Sequence, residues 1–248
     1  MEVPEYYLSY PYPNIKFKSK KDVLKGPFAW RMRKIFQVLK INPSDLKGKK
    51  VLDIGCGTGE KPIYYALQGA EVDAIDQSKE SIKVAKQKAE KLGVNVNFIC
   101  SSLFDFKYKK YDFVFCLGVL HHTKNPKKGF DLISNAVKKN GFIEIGLYHK
   151  YGRLPTTFNR FILSILPLNL NQKIKLLKKV YKDRWLNDRV IYDRFLVPHE
   201  STHTIKETKK WFKENNFSFI DSHPKPKSFG EFGFFPKKGF FLIGGKKL

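Results

Sequence analysis

The residues best suited to chemistry lie in one glycine-rich segment, VLDIGCGTGE, at positions 51–60. Glycines recur at every second position after a short apolar run, which predicts a tight turn from a buried strand into a helix. These glycines are Gly55, Gly57 and Gly59. A dinucleotide fingerprint has its third glycine where Glu60 stands, and a carboxylate there would repel a pyrophosphate. With Asp53 as a second anion, the segment favours a cationic ligand group over a phosphate.

A further carboxylate, Asp76, ends the next predicted strand, about twenty residues after Gly55. An acidic side chain at this place in an α/β fold accepts hydrogen bonds from the hydroxyls of a ribose. Such charge-assisted bonds are stronger than neutral ones. A ribose beside a cationic group, with no phosphate, points to an adenosyl cofactor that carries an amino-acid arm.

The elements that position these residues alternate between strand and helix from Lys50 to Tyr148. This alternation predicts a parallel sheet with right-handed crossovers. The predicted strands are 51–54, 71–76, 94–100, 111–117 and 141–148, and the predicted helices are 58–68, 78–92 and 126–139.

The sequence on either side of this region has a different pattern. Residues 1–26 have the composition of an irregular arm, and apolar spacing predicts a helix at 27–40. After Tyr148 the regular alternation stops, and helix-like stretches at 156–165, 171–181 and 182–195 suggest an inserted cap. The capping-box spacing of Thr204 and Glu207 predicts a helix at 205–215. Two last strands are predicted at 217–222 and 239–245.

Four segments of sequence together resemble the motifs of class I S-adenosylmethionine (SAM)-dependent methyltransferases. They are VLDIGCGTGE, VDAIDQS (72–78), YDFVFCLGVLHHTKNP (111–126) and KKNGFIEIGLY (138–148). The resemblance implies a Rossmann-like seven-stranded sheet with an antiparallel last strand, helices on both faces and SAM as the cofactor. We therefore expect an N-terminal arm and helix at 1–47, a SAM-binding core at 48–149, a helical cap at 150–203 and a closing helix and strand pair at 204–248.

The resemblance also implies which residues bind the cofactor. Asp53 and the glycine loop would hold the amino-acid portion, and Asp76, with Gln77 beside it, the ribose. Ser101, Ser102 and Leu103 would lie along the adenine, and Leu117 and Gly118 near the floor of the cofactor site. Many members carry an acidic residue at the adenine, whereas Ser101, Ser102 and Asp105 stand in this region, and the choice among them stays open. The full set of expected cofactor residues is Asp53, Gly55, Cys56, Gly57, Gly59, Asp76, Gln77, Ser102, Leu103 and Leu117.

Candidates for the methyl-acceptor side follow the fourth and fifth strands or lie in the cap. They are His122, Tyr148 and His199, with His121 and His149 as alternatives. SAM carries its own leaving group, so a base is needed only for a weakly acidic acceptor atom. A cluster of two imidazoles and a carboxylate at His199, Glu200 and His203 could bind a metal. We favour a helix-end role for Glu200 and predict no metal.

The net charge is +24, from 47 lysines and arginines against 23 acidic residues, and only seven of the 47 are arginine. Such a charge attracts polyanions, although scattered lysines lack the planar fork that reads phosphates specifically. We therefore favour a small-molecule acceptor, with a tRNA-modifying methyltransferase as the alternative. Docking of Arg160, Phe161, Ile162, Ile165 and the next lysine-rich helix on an anionic membrane is a third hypothesis, and a non-enzymatic interaction module is a fourth.

Composition also bears on the compartment. No apolar run approaches the roughly 20 residues that a spanning helix needs, and the acidic N-terminus lacks the pattern of a signal peptide. The three cysteines have no CxxC spacing, which argues against a zinc site or a disulfide framework. We expect a cytoplasmic protein.

Overall fold

In the computed structural model, the residues described are 13–181, 188–197, 199–226, 230–234 and 239–248. Seven strands form one sheet. They are β1 (Lys50–Ile54), β2 (Glu71–Asp76), β3 (Asn97–Cys100), β4 (Tyr111–Leu117), β5 (Val137–Tyr148), β6 (Phe217–His223) and β7 (Phe240–Lys247). Their order is β3-β2-β1-β4-β5-β7-β6, and β7 runs antiparallel to β5 and β6 while the pairs among β1 to β5 are parallel. The expected seven-stranded sheet with an antiparallel last strand is confirmed.

Helices surround this sheet on both faces. They are α1 (Lys20–Lys25), α2 (Pro27–Leu39), α3 (Glu60–Leu67), α4 (Lys79–Lys91), α5 (Pro126–Asn135), α6 (Leu154–Ile165), α7 (Leu170–Val180), α8 (Asp188–Ile191) and α9 (Ile205–Glu214). Single turns of other helix types cover Pro43–Leu46, Leu120–His122, Tyr192–Leu196 and Glu231–Phe234. Within the described ranges, no helix is both long enough and apolar enough to cross a bilayer.

The strands are buried on both faces because successive side chains point to opposite sides. On β4, Phe113 and Phe115 pack with α2, α3 and α4, whereas Val114 and Cys116 pack with α5 and α9. The two faces therefore hold two separate apolar cores. This double burial explains why the strands appear in the sequence as short, nearly continuous apolar runs.

The segment between β5 and α9 contains α6, α7 and α8 and has a small core of its own. Leu163 of α6 packs there with Leu177, Ile191 and Phe195. A buried ion pair ties the two ends of the segment together, since the Arg153 guanidinium donates to both carboxylate oxygens of Glu200 at 3.0 and 2.7 Å. The division of the chain into four segments stays a prediction.

The structure corrects the irregular arm that we expected before residue 27. Residues 20–25 form α1, because the Ser19 side chain accepts from the backbone N–H of Asp22 and the Asp22 carboxylate accepts in return from that of Ser19. This capping box starts a helix that is too short to show apolar periodicity. Residues 1–12 of the arm lie outside the described residues.

Two other boundaries differ from the expectation. The helix expected at 126–139 ends at Asn135, because Val137 pairs with Tyr111 of β4 and begins β5. The strand expected at 94–100 begins at Asn97, because the N–H of Val94 bonds back to the carbonyl oxygen of Ala89 at 3.0 Å. Of the helix expected at 182–195, residues 182–187 lie outside the described residues, and Tyr192–Leu196 forms a π-helical turn.

Candidate functional site

An open cavity of about 680 Å³ lies beyond the carboxyl ends of β1, β2, β4 and β5. Ligands of open parallel sheets bind at this edge, and the volume lies in the range typical of small-molecule sites. Of the residues expected at the cofactor, those that line the cavity are Gly55, Cys56, Gly57, Asp76, Gln77, Ser102, Leu103 and Leu117. The structure therefore brings eight of the ten together around one space.

The turn after β1 and the end of β2 hold each other in place. The N–H groups of Gly55 and Cys56 donate to the carbonyl oxygen of Ile75 at 2.8 and 3.0 Å. The Asp76 carboxylate accepts from the N–H of Gly57 at 2.8 Å and from that of Ser78 at 2.9 Å. Burial raises the pKa of Asp76, and these two donors oppose the rise. A fixed carboxylate thus faces the cavity, with lone pairs that can still accept from a diol.

Asp53 does not line the cavity. Its side chain is fully buried, and its carboxylate lies 3.6 Å from Nζ of Lys61, which does line the cavity. Burial raises the pKa of Asp53 to about 6, while Lys61 acts in the opposite direction. The structure therefore places Lys61 at the cavity where the sequence predicted Asp53.

Gly59 is the second expected cofactor residue that does not line the cavity. Its φ is +86°, and a Cβ there would lie 2.8 Å from Cβ of Ala85 and 3.0 Å from Cζ of Phe98. The glycine therefore allows the start of α3 to lie close to α4 and β3, much as the third glycine of related turns allows close packing of a helix on a strand.

Glu60 fixes the N-terminal segment against the glycine turn. Its carboxylate accepts from the N–H of Ile15 at 2.7 Å, from Nζ of Lys88 at 2.6 Å and from Oγ1 of Thr58 at 2.8 Å. Thr58 Oγ1 accepts in turn from the N–H of Asn14 at 2.8 Å. The acidic residue that argued against a dinucleotide is thus used to anchor part of the cavity wall.

The three residues expected along the adenine, Ser101, Ser102 and Leu103, line the cavity. Gly118, which also lines the cavity, follows β4 with a φ of +83°, and apart from its chain neighbours no described atom lies within 4 Å of the position a Cβ would take. A side chain at Gly118 would therefore occupy space in the cavity itself. The polar and backbone groups at this end fit a nucleoside with an amino-acid arm.

The three candidate catalytic residues, His122, Tyr148 and His199, all line the same cavity. Nδ1 of His122 lies 3.2 Å from the carbonyl oxygen of His199. A carbonyl can only accept, so Nδ1 carries the proton, and a neutral ring has its lone pair at Nε2. The Tyr148 ring is flanked by the His121 ring at 3.8 Å and by the Arg153 guanidinium at 3.7 Å.

His121 also lines the cavity and is fully buried. Both of its ring nitrogens are buried, and the backbone of Gly146 is a polar group close to the ring. Burial holds the pKa of His121 well below that of an exposed imidazole, so the ring is neutral at pH 7. The His121 ring is therefore enclosed by protein, whereas its neighbour His122 is only half-buried and can present its ring to the cavity.

The other histidines of this region have structural partners. Nε2 of His149 lies 2.9 Å from the Glu231 carboxylate, and Nδ1 of His203 lies 2.9 Å from that of Glu207. Glu200 binds Arg153 rather than the start of α9. Within the described part of the chain, no group of three potential metal ligands converges.

Part of the cavity wall comes from residues that sequence reasoning did not select. They are Pro13, Ile15, Phe28, Arg31, Met32 and Ile35 from the N-terminal region, with Val197 and Phe240 from the far side. The helical spacing of apolar residues in α2 signalled a buried face, but not that this face borders the cavity. Only the tertiary fold brings it there.

A family model described as a methyltransferase domain matches residues 45–216. The chain belongs to this family, and its fold and motifs are those of class I SAM-dependent methyltransferases, whose cofactor is SAM.

Among curated proteins, the chain is 30% identical to a ubiquinone biosynthesis O-methyltransferase of Chromobacterium violaceum, over 54% of this chain and 61% of the relative. It is 27% identical to the protein of that name from Salmonella paratyphi A, over 61% and 65%. An uncharacterized Synechococcus protein is 24% identical over 86% of this chain and 58% of its own length. The chain thus spans about three fifths of the length of these relatives.

Solved structures share the fold at lower identity. The magnesium protoporphyrin IX methyltransferase of Synechocystis PCC 6803 with bound S-adenosylhomocysteine has a TM-score of 0.62 and 19% identity, over 98% of this chain and 92% of that one. PKMT2 of Rickettsia typhi in complex with the same compound has a TM-score of 0.69 and 18% identity, over 94% and 54%.

Proposed function

We propose that this chain transfers the methyl group of SAM to an oxygen atom of a small, largely apolar acceptor. The observation that carries the proposal is the single cavity whose two ends differ in chemistry. One end has the glycine turn, Asp76 and the adenine-side serines. The other end has imidazoles and an apolar wall.

The cofactor end would hold SAM by contacts that suit its parts. Asp76 would accept from the ribose hydroxyls, Ser102 and Leu103 would border the adenine, and the turn at Gly55–Gly57 would hold the amino-acid arm. Lys61 suits the carboxylate of that arm because this cationic residue lines the cavity at the turn. When bound, SAM supplies a methyl group on a sulfonium centre, which leaves alignment as the main task of the protein.

The acceptor end favours an apolar molecule with one polar reacting group. Phe28, Met32, Ile35 and Phe240 supply apolar surface, and the His122 imidazole and Arg31 supply polar groups. The O-methyltransferase names of the curated relatives support oxygen as the acceptor atom. A structure with the same fold, the magnesium protoporphyrin IX methyltransferase, is named for a small-molecule substrate, which agrees with this class of acceptor.

His122 would take the proton from the acceptor hydroxyl. The His199 carbonyl fixes the tautomer that leaves Nε2 basic, as a general base requires. Tyr148, flanked by His121 and Arg153, would form a rigid wall that orients the acceptor. His199 would act through its backbone and as part of that wall.

The test is transfer from isotopically labelled SAM into a cell extract, with separation of labelled metabolites from labelled RNA. We expect label in an apolar metabolite. With that metabolite as substrate, His122→Asn should lower kcat about 10²- to 10⁴-fold. His223→Asn, at an exposed histidine of β6, should leave kcat unchanged. Label in RNA alone would refute a small-molecule acceptor. Equal kcat for both variants would refute His122 as the base.

A tRNA acceptor is the second candidate, and the net charge of +24 favours it. Phosphate contacts release counterions, so specific binding of tRNA would weaken steeply with added salt. We expect only weak tRNA binding, with no preference over an unrelated RNA of the same length. A clear preference for tRNA, together with labelling of tRNA in the extract, would establish this candidate instead.

A further inference from the structure

Helix α6 exposes a continuous apolar stripe. Its members are Leu154, Phe158, Phe161, Ile162 and Ile165, which are between 36% and 65% exposed. Successive residues of an α-helix are rotated by about 100° around its axis, and these five side chains therefore lie within a sector of about 100°. In a surface helix, an apolar stripe of this width normally faces the core.

The stripe is not the face by which α6 packs on the protein. That face carries Leu163 and Thr156, which are buried and lie on the opposite side of the helix. Leu163 belongs to the small core with Leu177, Ile191 and Phe195. The helix is therefore fixed by one side while it presents a second apolar side outward. Exposed patches of this kind mark interaction surfaces.

The segment of sequence that contains the stripe carries charged residues of one sign. Residues 145–182 contain no aspartate or glutamate. The next helix, α7, buries Leu177 and exposes Lys175, Lys178 and Lys179. Exposed aromatic and aliphatic side chains on one helix and exposed lysines on the next, with no acidic residue between them in the sequence, are the composition of an interfacial surface that binds anionic lipid.

We propose that the outer surface of α6 and α7 docks on membranes that contain anionic phospholipids. The apolar stripe would enter the boundary between headgroups and acyl chains, and the α7 lysines would bind the headgroup charge. A second copy of this chain is a poorer occupant, because a net charge of +24 opposes self-association. A nucleic acid would attract the lysines but would leave the aliphatic part of the stripe exposed. The proposal does not depend on the proposed function, since docking requires neither SAM nor an acceptor.

Vesicle flotation of the whole protein, without SAM, tests this docking. We expect binding to phosphatidylcholine vesicles that contain phosphatidylglycerol and little binding to phosphatidylcholine alone. Phe158→Ser with Phe161→Ser should weaken binding about tenfold or more, since each ring would lose its burial in lipid. Lys175→Glu with Lys178→Glu and Lys179→Glu should weaken it to a similar extent.

Two control variants distinguish docking by this surface from non-specific binding of a basic protein to vesicles. Trp30→Ser removes an aromatic side chain of α2 that is 59% exposed. Lys83→Glu with Lys86→Glu and Lys91→Glu changes the net charge equally on α4, where all three lysines are exposed. Both controls should bind vesicles like the unmodified protein. Equal binding to both kinds of vesicle, no binding to either, or equal losses in test and control variants would overturn the proposal. Conversion of a dimer to a monomer by Phe158→Ser with Phe161→Ser, seen by sedimentation, would assign the surface to a second copy instead.

Discussion

Gly118 combines a left-handed backbone with a place at the cavity. Gly48 has a similar φ of +69°, and it too has no described atom within 4 Å of a Cβ position, but it does not line the cavity. Alanine at either site should therefore cost about 1–2 kcal/mol of unfolding free energy from backbone strain. Only Gly118→Ala should also weaken SAM binding, because its methyl group would occupy ligand space. Denaturant unfolding and calorimetry measure the two effects, and equal SAM affinity in both variants would show that ligand does not reach Gly118.

Asp53 makes stability depend on pH with a defined sign. Its pKa is about 6 in the folded chain, against 3.8 for an exposed aspartate. The folded state therefore binds more protons between these values, so this carboxyl destabilises the fold above pH 6 and the penalty disappears as the pH falls.

The comparison with Asp53→Asn isolates this effect. From pH 6 to pH 4, the unmodified protein should gain stability relative to the variant, at up to about 1.4 kcal/mol per pH unit. Denaturant unfolding at several pH values measures the difference. A stability difference that is independent of pH, or that changes in the other direction, would contradict the burial of an ionisable Asp53 beside Lys61.

Among the elements, the N-terminal segment depends on a few polar contacts. Thr58→Val removes the hydroxyl that accepts from the N–H of Asn14 and donates to Glu60. The loss of about 1 kcal/mol from one hydrogen bond should speed hydrogen exchange at the backbone N–H groups of Asn14 and Ile15 about fivefold. We also expect weaker SAM binding. Thr208→Val, at a buried threonine of α9 that bonds within its own helix, should change neither. Unchanged exchange at Asn14 in Thr58→Val would show that Thr58 does not hold this segment.

The elements that the sequence predicted well are those whose signal is local. The run 71–76 matches β2 at both ends, and the strand-helix alternation is sufficient to specify the central sheet. The error at the end of the helix expected at 126–139 arises where a tertiary contact decides, whereas the missed helix α1 has a local cause. Lys138 and Lys139 look like the polar end of a helix, yet Lys138 pairs with Asp112 of β4 at 2.9 Å and lies in β5. Helix α1 depends on a capping box rather than on periodicity.

In the candidate site, too, the residues fixed by local sequence were predicted and those brought together by tertiary contacts were not. Glycines and acids fixed by the turn after β1 were predicted from spacing, and eight of the ten expected cofactor residues line the cavity. The apolar wall from α2 and the anchoring of Ile15 by Glu60 were not predicted, because both join residues far apart in sequence. Which of the two adjacent histidines after β4 is buried could not be derived either, since it depends on packing against Tyr148.

At the scale of the whole molecule, the sheet order creates the site. From β1 the chain moves outward to β2 and β3 and then returns to β4 on the other side of β1. The connections after β1 and β4 therefore leave in opposite directions, and a crevice opens between them. This places Asp76, at the end of β2, and His122, after β4, on one cavity. The cap and the N-terminal region then form the remaining walls.

The most direct test of this description is calorimetry with SAM. The unmodified protein should bind one SAM per chain, and Asp76→Asn should weaken binding about tenfold or more, because a charge-assisted contact to the ribose is lost. Asp73→Asn changes an acid of the same strand that bonds to Tyr111 and Asn97 and does not line the cavity, so it should bind SAM normally. If the unmodified protein bound no SAM, or if a folded Asp76→Asn variant bound it with full affinity, the cavity would not be the cofactor site described.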